Sequence, residues 1–411
     1  MAFPHGVKRA ALIGAATAVG VELVTAAAVN AAATAGRRRR KPRGFPYREP
    51  LTVPVAGNDI TVYTYGAHLY DAMIEAIDAA VDHVYLETFI WKCDPVGQRF
   101  MAAVGRAAHR GVKVACLYDV FANIVVPATF FRFPPGVMVH PFPLVGGGLK
   151  FLHPRNSGRD HRKILVVDSK VAFIGGYNLG SLYEHHWRDT HLRIEGEFAY
   201  ELEDAFVRQW NSSPGAPRRR LTPPAERSWA PELRLHRNTP RLFVYPIRGM
   251  YLDAIARAHE QIWLTHAYLI PDADLIGALV DAAARGVDVS IIIPAQSNHV
   301  LADWLARDHY EVLLSSGIKL FLYQGAMIHS KTATIDHTWS TVGTANLDTL
   351  SLLGNYEANV EIINPAFAAA MEDIFKTDLG NCIPLDIETW RRRPWYARLS
   401  ETILAPLRPL F

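Results

Sequence analysis

Cysteine is scarce in this 411-residue chain. Cys93, Cys116 and Cys382 are the only three, they are far apart, and none stands at metal-ligand spacing. That excludes a disulfide framework and a cysteine-based metal centre, and it fits reduced, mostly buried thiols in a cytoplasmic setting. Lysine is scarce as well: there are ten among 43 basic residues, so a lysine recurring at a fixed offset carries information. Neither charge sign is in large excess, since 43 basic and 40 acidic residues leave a formal net charge of +3. The basic residues are grouped at 37–43, 218–220 and 391–393. Basic clusters beside apolar stretches suit an anionic membrane surface, and they suit nucleic acid equally, so charge alone does not choose. Apolar side chains are abundant, at 50% of residues, which excludes global disorder and can fill two domains or one duplicated unit.

Residues Ala10 to Ala35 are apolar, Ala-rich and long enough to cross a bilayer, although Glu22 and Asn30 interrupt them. Ala33-Thr34-Ala35 has the character of a signal-peptidase site, but the block Arg37-Arg38-Arg39-Arg40-Lys41 follows at once and resists translocation. The expectation is an N-terminal anchor at a bacterial cell membrane with the catalytic body on the cytoplasmic side. The alternative is a segment that does not insert.

Beyond the basic block the chain repeats itself. The spacing of Met73, Ile77 and Val81 predicts a helix over Tyr70 to Val81, followed by a buried strand over Val84 to Trp91. A helix around Arg99 to His109, the punctuation Arg110-Gly111-Val112 and a strand over Lys113 to Tyr118 complete the unit. The second copy reads helix Tyr251 to His259, strand Ile262 to Ile270, helix Leu275 to Ala284, Arg285-Gly286-Val287 and strand Asp288 to Ile293. Alternating helices and apolar strands predict an α/β fold in two similar halves. The expected organisation is an anchor and polybasic segment over 1–49, a first half over 50–213 and a Pro/Arg-rich linker over 214–237. A second half over 238–380 and a basic-aromatic tail over 381–411 complete it. The tail mixes arginines with Trp395, Tyr396, Leu399, Ile403 and Leu404, as interfacial segments do, and the alternative is a surface helix on the body. Phe121 to Phe151 lacks periodicity and reads either as an ordinary loop or as a lipid-facing lip over the site.

The chemistry-bearing signal is a duplicated pattern. His161-Arg162-Lys163 leads to Asp168, and His329-Ser330-Lys331 leads to Asp336, both as H-x-K-x4-D. Gly175 and Gly343 each follow seven residues after the aspartate, then Gly176 and Asn178 in one copy and Asn346 in the other. Each histidine also has a carboxylate 28 positions later, Asp189 and Glu357. One such motif arises by accident with a probability on the order of a few per cent here, and two in phase far less often. Lys163 to Val167 and Lys331 to Ile335 are strand-like, so each histidine and its lysine share a face, and Asp168 and Asp336 fall on the other as anchors of the fold.

Two histidines and two lysines suit phosphodiester chemistry. One neutral imidazole attacks phosphorus, and the other, protonated, serves the departing alcohol and then takes a proton from the next nucleophile. Two ammonium groups balance the nonbridging oxygens without a metal or cofactor. Asn178 and Asn346 can add hydrogen bonds beside glycines that let the backbone approach, and Asp189 and Glu357 can set the imidazole tautomers.

These residues resemble the phospholipase D superfamily, and within it the short bacterial cardiolipin synthases, through the two H-x-K-x4-D motifs and three further stretches. These are Leu86-Glu87-Thr88-Phe89-Ile90-Trp91, Ala172-Phe173-Ile174-Gly175-Gly176-Tyr177-Asn178, and Asn346-Leu347-Asp348 with Leu350, Ser351, Asn355, Glu357 and Asn359. The chain departs from the pattern at Thr344, where Ser is common, and at Leu350, where many synthases have Arg. The resemblance implies two halves about a pseudo-twofold axis with one site between them, His161 as nucleophile and His329 as acid and base. It also implies that each carboxylate supports the other half's histidine. The implied reaction joins two phosphatidylglycerol molecules into cardiolipin and glycerol at a membrane surface. Hydrolysis to phosphatidic acid remains open, and nucleic acid is the less favoured substrate.

Overall fold

The computed structural model describes residues 44–144, 158–213, 215, 219–225 and 230–404. The segment Ala10 to Ala35 and its basic block lie outside the described residues, as do parts of 214–231 and the last residues of the tail. Among the described residues no helix is long and apolar enough to cross a membrane.

Two eight-stranded sheets carry the fold. The first is built from β1 (Leu51–Val55), β2 (Asn58–Tyr63), β3 (His83–Thr88), β4 (Lys113–Asp119), β5 (Val137–Phe142), β6 (Ile164–Val167) and β7 (Val171–Gly175). After the two-residue β8 (Trp187–Arg188), β9 (His191–Glu195) completes it, in the order β1-β2-β9-β7-β6-β3-β4-β5. The second half supplies β10 (Leu233–Asn238), β11 (Gln261–His266), the short β12 (Leu269–Ile270), β13 (Asp288–Pro294), β14 (Lys319–Tyr323) and the short β15 (Met327–Ile328). Then come β16 (Lys331–Ile335), β17 (Trp339–Gly343), the short β18 (Leu347–Asp348), β19 (Glu357–Ile363) and β20 (Cys382–Pro384). The sheet order β10-β19-β17-β16-β11-β13-β14-β20 repeats that of the first half with one edge strand exchanged, so the chain is two similar α/β halves. The central strands β3, β6 and β16 are buried throughout; β6 is accordingly apolar along its whole length, whereas β3 and β16 bury polar side chains as well.

The halves share a core. One apolar cluster joins Phe142, Ile174 and Leu192 of the first sheet to Val342, Tyr356 and Val360 of the second. The helices Ala199–Ser212 and Pro365–Leu379 contribute Phe206 and Met371 to the same cluster. Burial of this size fixes the two sheets against each other, and with them the strand ends that carry the motifs.

Several element boundaries differ from the sequence reading. The helix expected to reach Val81 spans Gly66–Ala79, and Val81 is exposed because its N–H turns to the Asp168 carboxylate. The strand expected over Ile262 to Ile270 breaks into β11 and β12. The aperiodic stretch after Phe121 contains β5, whose Val137–Phe142 pairs parallel with β4. Its histidine, proline and glycine-flanked sequence hides the strand. Leu233–Asn238, at the end of the expected linker, is instead an edge strand on β19. Cys382–Pro384, in the expected tail, is an edge strand on β14. Phe45, from the segment expected to lie outside the first half, is buried with Ile292, Tyr323 and Phe375 of the second.

Candidate active site

Two short cross-half contacts bring the motifs together. β8 pairs parallel with β15, aligning Trp187 and Arg188 with Met327 and Ile328, so Asp189 and His329 emerge side by side. On the other side of the pseudo-twofold axis Asp160 bridges Tyr356, and His161 and Glu357 emerge side by side. The backbone repeats the symmetry: the N–H of His329 donates to the carbonyl of Arg188 at 2.6 Å, and that of His161 to the carbonyl of Tyr356 at 3.1 Å.

The side chains follow. His161 Nδ1 faces both oxygens of Glu357 at 2.9 and 3.0 Å, and His329 Nδ1 faces Asp189 Oδ2 at 2.6 Å. Each imidazole therefore leaves Nε2 uncommitted to a carboxylate. The rings are walled by aromatics, Phe89 edge-on at 4.7 Å from His161 and Trp187 at 5.0 Å from His329. Lys163 donates to its own His161 carbonyl and lies 5.2 Å over the Phe89 ring. Lys331 donates to the His329 carbonyl and stands 3.0 Å from His329 Nδ1.

Burial controls the charges here. It pushes Lys163 down to about 7 and Lys331 down to about 8, and it pushes Asp189 up to about 6 and Glu357 up to about 8. Both imidazoles are held well below their usual range, first by burial and then by the two ammonium groups, each of which acts on both rings. The cross-half contacts bring both imidazoles, each with the lysine two residues after it, to the interface of the halves. Burial thus disfavours the charged form of both members of each pair, the imidazolium and the carboxylate alike.

Asn178 accepts the Ile90 N–H at 3.2 Å through its side-chain oxygen. Asn346 has its amide nitrogen 3.5 Å from Ser351 Oγ and a buried oxygen without a partner. A Cβ on Gly176 would collide with the Asp189 carboxylate, and one on Gly343 with the Asn359 side chain, so both positions require glycine for close packing. Gly175 lies equally close to Thr190 and His191. Thr344, one of the departures from the family pattern, donates its hydroxyl to Glu357 Oε2. Leu350, the other, is partly exposed at the surface.

Asp168 and Asp336 lie at the far ends of β6 and β16, away from the imidazoles. Asp168-Ser169 and Asp336-His337 all have φ near +50°, and the turns they form close the hairpins β6–β7 and β16–β17. The Asp168 carboxylate accepts the N–H groups of Val81, Asp82 and His83 at 2.8–2.9 Å. Asp336 accepts those of His259, Glu260 and Gln261 at 2.8–3.0 Å.

Two buried ion networks behind the site were missed from sequence. Arg162 donates from Nε and Nη2 to Glu87 at 3.0 and 2.6 Å and lies 3.6 Å from Asp160. Arg188 grips Asp378 through two bonds of 2.9 and 2.7 Å and donates to the Asp189 carbonyl and to Ser330 Oγ. A signal was present. Glu87 interrupts an apolar strand run, and Asp378 falls in phase with Phe367, Met371 and Phe375 on the buried face of its helix. Among the described residues no cluster of three or more His, Cys, Asp or Glu is placed to hold a metal ion.

Residues 73–210 and 251–379 match the family model described as cardiolipin synthase, PLD-like domain. A cardiolipin synthase of Clostridium perfringens is 31% identical over 386 residues, covering 86% of this chain and 77% of its own. One from Listeria monocytogenes is 30% identical over 365 residues, covering 86% and 75%. The solved phosphatidylserine synthase of Haemophilus influenzae has the same fold, with a TM-score of 0.67 at 14% identity over 88% of this chain and 95% of that one.

Proposed function

Because the chain belongs to the cardiolipin synthase family of phospholipase D-like proteins, we propose that it moves a phosphatidyl group from one phosphatidylglycerol to the hydroxyl of another, giving cardiolipin and glycerol. The observation that carries this reading is the pair of cross-half contacts, His161 with Glu357 and His329 with Asp189.

In the first step Nε2 of neutral His161 attacks phosphorus, the P–O bond to glycerol breaks, and His329 gives the departing alkoxide its proton. In the second, a hydroxyl of the incoming phosphatidylglycerol loses its proton to His329 and attacks the phosphohistidine. The P–N bond breaks and His161 is regenerated. The resting imidazoles are neutral because burial and two ammonium groups oppose further positive charge. An entering phosphodiester anion removes that opposition, and Asp189 then stabilises a protonated His329. Lys163 and Lys331 balance the charge on the nonbridging oxygens, and Asn178 and Asn346 offer amide donors to the same oxygens. The reading uses no metal and no cofactor. Asp168, Asp336 and the three glycines shape the scaffold. The block Arg37 to Lys41 supports a catalytic body on the cytoplasmic side of a bacterial membrane.

The test is product analysis with the purified protein and phosphatidylglycerol vesicles, without added metal, beside His161→Ala and His329→Ala. Cardiolipin and glycerol, absent with both variants, are expected. Phosphatidic acid in their place would keep the site but make the reaction a hydrolysis. Turnover of no lipid would contradict the reading and turn attention to other phosphodiesters, nucleic acid first.

A further inference from the structure

Three segments meet beside His161, and each is held rigidly while presenting apolar side chains to water. The first follows β4. Buried Asn123 donates to the Phe89 carbonyl at 2.9 Å and accepts the Trp91 N–H at 2.8 Å, which clamps the turn to the strand end whose Phe89 packs on His161. Just beyond it Ile124 is 68% exposed and Val125 78%. The second is the loop closed by paired hydrogen bonds between Thr239 and Val244, at 2.8 and 3.3 Å. Its tip carries Leu242, 68% exposed, and Phe243, 50% exposed and held in the left-handed backbone region at φ 54°. The third is the short helix Thr349–Leu353, with Leu350 and Leu353 exposed.

The three are contiguous. Gly158 packs against both Pro240 and the Gly354 carbonyl, so tightly that a Cβ there would clash. The N–H of Arg159 donates to Asn355 at 3.0 Å, and its guanidinium lies 5.9 Å over the Phe121 ring at the start of the first turn. His161 follows two residues later. Its unpaired charge is of one sign: residues 120–136, 239–249 and 349–356 contain no Asp or Glu, Arg248 is spent on Asp272 and Asp274, and Arg132 and Arg241 remain. Arg132 and Arg241 are exposed. A second copy of the same face would meet like charge, whereas an anionic surface would meet complementary charge.

We propose that this rim is the face the protein presses against an anionic phospholipid bilayer, with Ile124, Val125, Leu242 and Phe243 among the acyl chains and Arg132 and Arg241 at the lipid phosphates. The inference rests on the lipid-substrate reading above. It adds the orientation: the His161 side of the site opens onto the bilayer, so a diacyl substrate reaches phosphorus-attack distance with its chains still in lipid. Hydrogen bonds that hold apolar side chains outward serve no core, and they do serve insertion at an interface.

The test uses the full chain with Cys93→Ser and Cys382→Ser, into which Val125→Cys, Phe243→Cys or Val81→Cys is introduced singly and labelled with an environment-sensitive fluorophore. Val81 is the control, being 82% exposed but beside Asp168 at the opposite end of β6. Vesicles containing phosphatidylglycerol should blue-shift the labels at 125 and 243, and nitroxide-bearing acyl chains should quench them. The label at 81 should not respond, and neither should any label with phosphatidylcholine alone. A combined Ile124→Ser, Val125→Ser, Leu242→Ser, Phe243→Ser variant should lose at least about ten-fold in kcat/KM on vesicles, with turnover of monomeric short-chain phosphatidylglycerol changed less than about two-fold. Labels at 125 and 243 that ignore vesicles, or equal losses on both substrates, would overturn the proposal. A shift that depends on protein concentration without lipid would also overturn it and assign the rim to a second copy. If the unmodified chain turned over neither substrate, the functional reading would fail, while the fluorescence would still decide the docking face.

Discussion

His161 and Glu357 are 196 residues apart in sequence and 2.9 Å apart in space, and the contact crosses from one half of the molecule to the other. His329 and Asp189 repeat it at 2.6 Å across 140 residues. In each pair the imidazole and the carboxylate that faces it come from different halves, so the proposed site needs both. Glu357→Gln and Asp189→Asn should each lower kcat by about a hundred-fold to ten-thousand-fold, with a much smaller effect on KM, because each disturbs tautomer and orientation more than binding. The combination His161→Ala with Glu357→Gln should be no slower than His161→Ala alone, a non-additivity that steady-state kinetics can read.

The lysines set the alkaline side of the pH profile. Burial lowers Lys163 to about 7 and Lys331 to about 8, so in the free protein their charge is present at lower pH and lost as pH rises through that window. kcat/KM should therefore fall above about pH 7–8. The limb in kcat should lie at higher pH, because the bound phosphodiester anion favours both ammonium groups. Lys163→Ala and Lys331→Ala should each cost about 3–4 kcal/mol of transition-state stabilisation, and arginine should not substitute in so enclosed a space. Near-normal turnover in either alanine variant would contradict the two-lysine account.

Asp168 and Asp336 should behave differently from the other motif residues. Burial opposes the charge on each, but three backbone N–H groups outweigh it and hold both carboxyls below the usual range. The stability they contribute is present above the ordinary carboxylate pKa and is lost as pH falls through the depressed one. Asp168→Ala and Asp336→Ala should each destabilise the fold by about 2 kcal/mol, discounted for their partial exposure. Denaturant unfolding should detect that loss, whereas the folded fraction should keep most of its turnover.

Why the sequence disclosed so much of this site is physical. The proposed catalytic pairs sit on strand ends duplicated in phase, and the opposite parity of Asp168 and Asp336 already separates them from the imidazoles. The parts that stayed hidden depend on contacts between distant elements. Nothing local announces that Arg188 will meet Asp378, or that Arg162 will lie between Glu87 and Asp160. β5 was invisible for another reason: Val137–Phe142 is an edge strand with a proline, and neither alternation nor a long apolar run marks it. Val81 fits a helical spacing but is recruited by Asp168 instead.

The Arg188–Asp378 pair offers a separate test of how the second half's helix Pro365–Leu379 supports the site. Asp378→Ala alone should cost about 3–5 kcal/mol of stability by leaving a buried guanidinium unpaired. Replacing both partners by Met and Leu should recover much of that stability. Activity should remain low in the double variant, because Arg188 also donates to the Asp189 carbonyl and to Ser330 beside His329. Recovery of stability and activity together would reduce the pair to a packing element.

The central claim is one site with divided labour, and the intermediate tests it most directly. The measurement is rapid quenching of the protein with phosphorus-labelled phosphatidylglycerol, followed by mapping of any acid-labile, base-stable phosphoprotein. The account predicts label on His161, none in His161→Ala, and the label-bearing peptide still traceable in slowed form when His329 is replaced. Label on His329, or full turnover with no covalent species at any time, would contradict it.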